Sequence, residues 1–407
     1  MSSAEASTRH GENPDREIWR TLASRAAASF GSPCYLSRWR PVEALVAAHE
    51  TRVGGVDVKA WLSFKTHPVQ PLAVTWMRSG RGIEVVSEAE FVAVRALGCP
   101  TAQLLVNGVA KHSWLARYDV AGLRVHFDST LEVDSLIGAA VAQRWHVGLR
   151  CHVPDEHDAR DADFGGQFGL DADEFCAMHE RLIAAGATVE GVHFHLGQAT
   201  RSLNAYTDSM SYVATLCKQS GLSPRYIDCG GGVDASPDVS SSLRDLRRAI
   251  AAAAQRLPSL REIWTENGRH ITRSSAALIV RVLDVKVRPE CRYLICDGGR
   301  TNHGLDADNG VHDVIVHPER RGSPVLTTVA GPTCMTDDRL GRLMLPDDVG
   351  VGDLIIWLDA GAYYLPWETR FSHGLCAVAW ADADEHISLA RARETPQQWS
   401  YLWTANA

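Results

Sequence analysis

A chain of 407 residues exceeds one ordinary domain, and 45% hydrophobic with 22% charged residues is the composition of a globular protein with a sizeable core. A formal net charge of −8, with no basic run longer than Arg320-Arg321, argues against the basic face that nucleic acid or an anionic membrane requires. The ten cysteines are scattered without a C-x-x-C pair. They read as thiols of a reducing, cytoplasmic compartment, not as a disulfide framework or a zinc knuckle.

The opening segment MSSAEASTRHGENPDREIWR lacks a signal peptide's apolar stretch, and no run reaches membrane-spanning length. Residues 1–35 contain one strand-like piece, SPCYLS. From residue 36 to 274 short apolar runs alternate with longer amphipathic stretches. The expected strands are VDVKAWLSFK (56–65), GIEVVS (82–87), AQLLVNG (102–108), GLRVHFDS (122–129), HVGLRCHV (146–153), VEGVHFHLG (189–197), PRYIDCGGG (224–232) and REIWTENGR (261–269). Helical patterns lie between them, among them SEAEFVAVRALG (87–98), STLEVDSLIGAAVAQR (129–144), DADEFCAMHERLIAAG (171–186) and LRDLRRAIAAAAQRL (243–257). Eight strand–helix units imply a parallel sheet closed as an α/β, TIM-like (β/α)₈ barrel over 36–274. After residue 275 strand-like runs follow one another with little helix. They predict a mostly antiparallel, sandwich- or barrel-like β domain over 275–407, joined by residues 1–35.

In a barrel, chemistry collects at the C-terminal ends of the strands. Those ends carry Lys65, Glu84, Asn107, Asp128, Arg150, His193 with His195, Gly230–Gly232, and Glu266 with Arg269. A lysine in a dry, cation-rich pocket loses proton affinity and can form a Schiff base with a carbonyl, although a strand-end lysine is more often a surface residue. The glycine triplet lets a backbone approach an anion and offer it N–H groups; a tight turn is the plainer explanation. Glu266 can keep a pyridine nitrogen protonated or pair with Arg269. His195 can lie flat against a cofactor ring or be a hydrogen-bonded core residue. His193-Phe-His195 has the spacing of two metal ligands, but no neighbouring carboxylate in sequence completes a set, so no metal is expected. In the second domain GPTCMTDD (331–338) and DAGAYY (359–364) present Cys334 and Tyr363, and Cys334 reads equally as a buried structural thiol.

These segments together resemble the pyridoxal-phosphate decarboxylases of the alanine-racemase-like fold, the group of diaminopimelate, ornithine and arginine decarboxylases. SFKTHP (63–68) resembles the family's A-x-K-A-N, GIEVVSEAEF (82–91) its G-F-D-V-x-S-x-x-E, VNGVAK (106–111) its N-G-P-x-K, and GLRCHV (148–153) its L-R-x-N-P. FGGQFGL (164–170) is similar to K-F-G-L, GVHFHLG (191–197) to G-x-H-x-H-x-G, YIDCGGG (226–232) to D-x-G-G-G, and ENGR (266–269) to E-P-G-R. CDGG (296–299), GPTC (331–334) and GAY (361–363) follow in family order.

The resemblance implies pyridoxal 5′-phosphate held by Lys65 as a Schiff base, with Glu84 beside it and Arg150 in the site's charge network. It places His195 against the ring and Glu266 on the pyridinium. It assigns Gly230, Gly231, Gly232 and Tyr363 to the phosphate, with Gly268 and Arg269 of the E-P-G-R-like segment among the cofactor-binding residues. It also implies a homodimer with shared sites, in which Cys334 crosses the interface as proton donor after CO₂ leaves. The departures bear on the amino-acid substrate. Met335 stands where relatives acting on diamino acids carry Asp or Glu, with Asp337 and Asp338 as substitutes; Gln198 replaces a serine, and RTNHGLDADNG replaces R-P-A-L-Y. The expectation is therefore a decarboxylase of a modified or conjugated amino acid. A racemase of the same fold and a non-catalytic relative are the alternatives.

Overall fold

The structure, a computed structural model, describes residues 15–154, 166–196, 204–233, 239–266, 268–303 and 312–404. The chain divides into two units, one made of Leu45–Lys65 and Leu72–His270, the other of Met1–Ala44, Thr66–Pro71 and Ile271–Ala407. The fold class expected from sequence is the one observed: a parallel β-barrel with intervening helices, and a mostly antiparallel sheet.

In the barrel unit the strands are Val56–Ala60 continued by Leu62–Ser63, then Ile83–Val85, Leu104–Val106, Arg124–Phe127, His146–Arg150, Thr188–His193, Tyr226–Asp228 and Glu262–Thr265. Each pairs in parallel with its predecessor. The first strand is broken at Trp61. Val56–Ala60 pairs with the eighth strand, while Leu62–Ser63 pairs with the second, so the two pieces bridge the ends of the sheet.

Local sequence sets where the helices begin. Ser87, Ser129 and Asp171 accept the backbone N–H of the glutamate three residues on, fulfilling the S-x-x-E and D-x-x-E patterns. The Glu90 and Glu132 side chains reach back to the N–H groups of Val86 (3.0 Å) and Asp128 (2.8 Å), fastening each helix start to the end of a strand.

Inside the barrel, side-chain alternation builds layers. Tyr226 and Trp264 stack at 3.6 Å and 10° between rings, with Trp61 at 4.7 Å from Trp264. A Cβ at position 191 would lie 2.1 Å from the Tyr226 ring, so only glycine fits opposite this aromatic floor. Two residues further along the chain, Asp228 follows Tyr226 at the end of its strand and Glu266 follows Trp264 just past the end of its own. The floor therefore sits directly beneath two carboxyl groups.

In the other unit SPCYLS forms Cys34–Arg38, antiparallel to Ala276–Val287 and parallel to Ala377–Ala381. Arg292–Cys296 and Pro324–Ala330 are the second parallel pair; the remaining described ladders are antiparallel. A helix that the sequence reading passed over, Arg16–Phe30, lays Trp19, Leu22, Ala23, Ala26 and Ala27 on the sheet residues Leu36, Ile279, Ile356 and Ala379. Among the described residues no helix is long and apolar enough to cross a membrane.

Candidate active site

The barrel unit brings most of the expected residues to one mouth. Lys65 lies not in the first strand, as expected, but in the single 3₁₀ turn Phe64–Thr66 just after it. Its amine reaches Glu84 Oε1 at 3.3 Å. Glu84 is buried in the middle of the second strand, and the Ser63 hydroxyl donates to its other oxygen at 2.6 Å. The lysine thus sits at the edge of solvent with its counter-charge fixed from below.

Arg150 ends the fifth strand. Its guanidinium donates to Asp128 at 3.1 Å and lies 4.4 Å over the Phe168 ring. Asp128 also accepts the Gly169 N–H at 3.2 Å, so it ties the arginine to the loop ahead of the next helix.

His193 and His195 separate, although their spacing suggested one face. The sixth strand ends at His193, whose buried ring stacks on His126 at 4.9 Å. His195 lies beyond the strand, where its Nδ1 accepts the Gly231 N–H at 3.1 Å. The surrounding protein, then the Arg150 and Lys65 cations, hold its imidazole below the usual histidine value, so the ring is neutral at physiological pH. His195 is packed on the glycine triplet: a Cβ at position 230, where φ is +61°, would fall 2.4 Å from its Nδ1.

Gly230 also accepts the Glu266 N–H at 2.7 Å and donates its own N–H to Asp228 Oδ1 at 2.9 Å. Glu266 is buried just past the eighth strand and accepts from Asn107 Nδ2 at 2.8 Å. Burial, then the neighbouring Asp228 and Glu84 charges, raise its carboxyl well above the ordinary value. Gly268 and the half-buried Arg269 begin the short helix Gly268–Thr272; Asn267 and Gln198 lie outside the described residues.

Cys334 and Tyr363 belong to the other unit. Cys334 is exposed on the turn between Pro324–Ala330 and Arg339–Pro346, not the buried thiol of the alternative reading. The neighbouring Met335 is 53% exposed. Asp338 is no substitute for an acid at position 335. It is buried, and its two oxygens accept from Arg300 N (2.7 Å), Thr333 N (2.8 Å) and Thr333 Oγ1 (2.6 Å), holding the turn that carries the cysteine. Tyr363 adopts φ +62°, and its N–H donates to Thr66 O at 2.8 Å. The buried Tyr364 hydroxyl beside it is held between His303 Nε2 (3.1 Å) and His312 Nε2 (2.9 Å).

Two features escaped the sequence reading. Asp228 and His126 join His193 and Glu266 in a buried group whose ligating atoms lie within 4.8 Å of one another. Lys111 and Glu132 form a fully buried ion pair at 2.7 Å. Period-2 alternation from Tyr226 would have pointed Asp228 inward; nothing in sequence pairs positions 111 and 132.

A family model described as "Pyridoxal-dependent decarboxylase, pyridoxal binding domain" matches residues 42–273. The chain belongs to the pyridoxal-dependent decarboxylases. It is 27% identical over 391 residues to a diaminopimelate decarboxylase of Deinococcus radiodurans, covering 93% of this chain and 97% of that one. It is 23% identical over 341 residues to a lysine/ornithine decarboxylase of Selenomonas ruminantium, covering 82% and 85%. The diaminopimelate decarboxylase structure from M. jannaschii in complex with L-lysine superposes with TM-score 0.80 at 18% identity over 94% of each chain. These relatives place the decarboxylase reading above the racemase one: this family's enzymes are carboxy-lyases that use pyridoxal phosphate.

The barrel residues fit that cofactor. An amine stands at the mouth beside a buried carboxylate, and the glycine triplet leaves no room for side chains where a phosphate would approach. A buried carboxyl faces the same space, and buried polar atoms of Asp228 and His193 are left without hydrogen-bond partners.

Proposed function

We propose that Lys65 carries pyridoxal 5′-phosphate and that the enzyme removes the α-carboxylate of an amino acid whose distal end bears no charge. The arrangement of Lys65 on Glu84, His195 on the glycine triplet and Glu266 beyond the eighth strand, all on one barrel, supports this reading. When bound, the cofactor supplies an electron-deficient ring that takes up the electron pair left by a departing carboxylate. The protein's part is attachment, orientation and proton placement. Lys65 is the attachment point, and Glu84 holds its ammonium in line. The neutral His195 offers a flat, uncharged face. Glu266 holds a proton at the ring nitrogen, and Arg150, anchored by Asp128, balances the carboxyl charge around the mouth. Backbone N–H groups of Gly230–Gly232, with Gly268, Arg269 and Tyr363, serve the phosphate.

Cys334 is the proposed proton donor, acting across a homodimer, and the enzyme is placed in the cytoplasm. For the substrate, Met335 supplies no counter-charge, Asp338 is committed to its own turn, and Asp337 points to solvent. A distal ammonium buried there would stand unpaired. The relatives' names specify diaminopimelate, lysine or ornithine; an uncharged or conjugated amino acid suits this chain better. Borohydride reduction of the purified protein should fix the cofactor to Lys65, and a screen of free and conjugated amino acids should show CO₂ release. Cofactor on another lysine would overturn the attachment, and amine-retaining turnover without CO₂ would overturn the reaction class.

A further inference from the structure

Asp228 ends the seventh strand and Glu266 follows the eighth, and these strands are direct neighbours with Asp228 opposite Trp264. Both carboxyl groups are buried, Asp228 completely. Asp228 Oδ1 is used by the Gly230 N–H. Its Oδ2 has no hydrogen-bond donor, and a carboxylate oxygen of Asp228 lies within 4.8 Å of one of Glu266. Two ionised carboxylates are both acceptors and repel, so burying them this close together favours one proton held on the pair.

Among the described residues, the neighbouring imidazoles and cations do not relieve that repulsion. His126 approaches Asp228 Oδ2 only to 3.9 Å and His193 approaches Glu266 to 4.0 Å. Burial drives both imidazoles down, His126 to about 3, so neither carries a positive charge at neutral pH. The nearby cations Lys65 and Arg150 are engaged by Glu84 and Asp128, and the Glu84 carboxylate adds further negative charge.

We propose that Asp228 and Glu266 form a one-proton carboxyl pair, in which Asp228 is the positioning residue that makes Glu266 an acid. Two observations agree with it: burial raises Asp228 to about 7 although the Gly230 N–H lowers it, and burial, then the Asp228 charge, raises Glu266 well above its ordinary value. The Asn107 amide donates to the glutamate's other oxygen and turns its carboxyl toward the pair. Asp228 also spans two parts of the site, because one oxygen shapes the glycine turn while the other sets the charge of Glu266. Its role toward a ring nitrogen rests on the cofactor assignment above; the shared proton does not.

The test is infrared difference spectroscopy of the chelator-treated full chain, before and after loading with pyridoxal phosphate. Protonated carboxyl groups absorb apart from carboxylates and shift in heavy water. At neutral pH the unloaded protein should show one such signal that is missing from both Asp228→Asn and Glu266→Gln. Subtracting variant from parent cancels contributions from other acids such as the half-buried Glu90. Asp228→Asn keeps an oxygen for the Gly230 N–H, so cofactor affinity should stay within a few-fold, whereas Asp228→Ala should weaken it at least tenfold. Persistence of the full signal in Asp228→Asn would overturn the proposal, since Glu266 would then be protonated by burial alone. If Glu266→Gln fails to fold, the Asn variant alone decides. Loss of the borohydride adduct on Lys65 with the signal intact would sink the cofactor assignment and leave the carboxyl pair standing.

Discussion

Replacing Lys111 by Met tests the least visible support of the site. Lys111 Nζ and Glu132 Oε2 are 2.7 Å apart with no exposed side-chain surface on either residue, and the amine also donates to Gly108 O. Burial lowers the lysine's proton affinity, and the Glu132 charge and hydrogen bond restore part of it. Glu132 accepts in addition from Lys111 N at 2.7 Å and Asp128 N at 2.8 Å. Methionine keeps the stem's volume but removes the ammonium, leaving a buried carboxylate with two amide donors and no counter-charge. Removing one partner of such a pair costs about 3–5 kcal/mol. The surviving donors place this case near the lower end, about 3 kcal/mol, still a large fraction of a typical folding stability. Asp128 anchors Arg150, so cofactor retention should fall together with stability. The assay is urea unfolding of the parent, Lys111→Met, Glu132→Gln and the double variant, with released cofactor followed in parallel. The double variant should recover part of the loss, because no charge is stranded, although the single amide oxygen keeps only one of the two backbone N–H groups. A single-variant cost below about 1 kcal/mol, or a double variant no better than Lys111→Met, would refute the reasoning.

Glu266→Gln should retain the cofactor but lose ~10²–10³ in turnover, the usual cost of removing one placed electrostatic contact; a few-fold change in kcat would contradict its assignment. Inactive Lys65→Ala and Cys334→Ala proteins should regain activity when mixed, and a fully active monomer in sedimentation would exclude the shared site. Met335→Glu should raise kcat/KM for lysine or ornithine while lowering it for uncharged analogues; efficient turnover of free diamino acids by the unmodified enzyme would show that the methionine does not select. Burial, opposed by the Val86 N–H and reinforced by Glu84, pushes the Glu90 carboxyl up to about 7. The folded state therefore binds this proton more tightly than the unfolded chain does, and the associated stability is full at low pH and lost as pH rises toward 7. Glu90→Gln should flatten that decline in unfolding midpoints, and an unchanged slope would assign the pH dependence elsewhere.

Much of the barrel was legible because its signals are local. Alternating strand residues, the Ser87, Ser129 and Asp171 caps three residues before glutamates, and the Gly230–Gly232 turn all act within a few positions of themselves. Lys65, Glu84, His195 and Glu266 were found for the same reason, since strand ends are marked in the chain and barrel geometry gathers them at one mouth. The helix Arg16–Phe30 carried a readable stripe, but three of its five buried residues are alanines, whose small apolar surface gives a weak periodic signal. Strand periodicity says that Asp228 faces inward; only the register against the eighth strand sets it beside Glu266, where two buried carboxyl groups can share a proton. The same holds for Lys111 and Glu132, separated by 21 positions yet closed into one ion pair, and for Asp338, an apparent substrate acid that the fold spends on Thr333 and Arg300. Residue type and spacing determine which groups stand at the barrel mouth. Charge state and availability depend on neighbours brought from other strands, because Coulomb and hydrogen-bond energies in a low-dielectric interior depend on distances that only the folded chain defines.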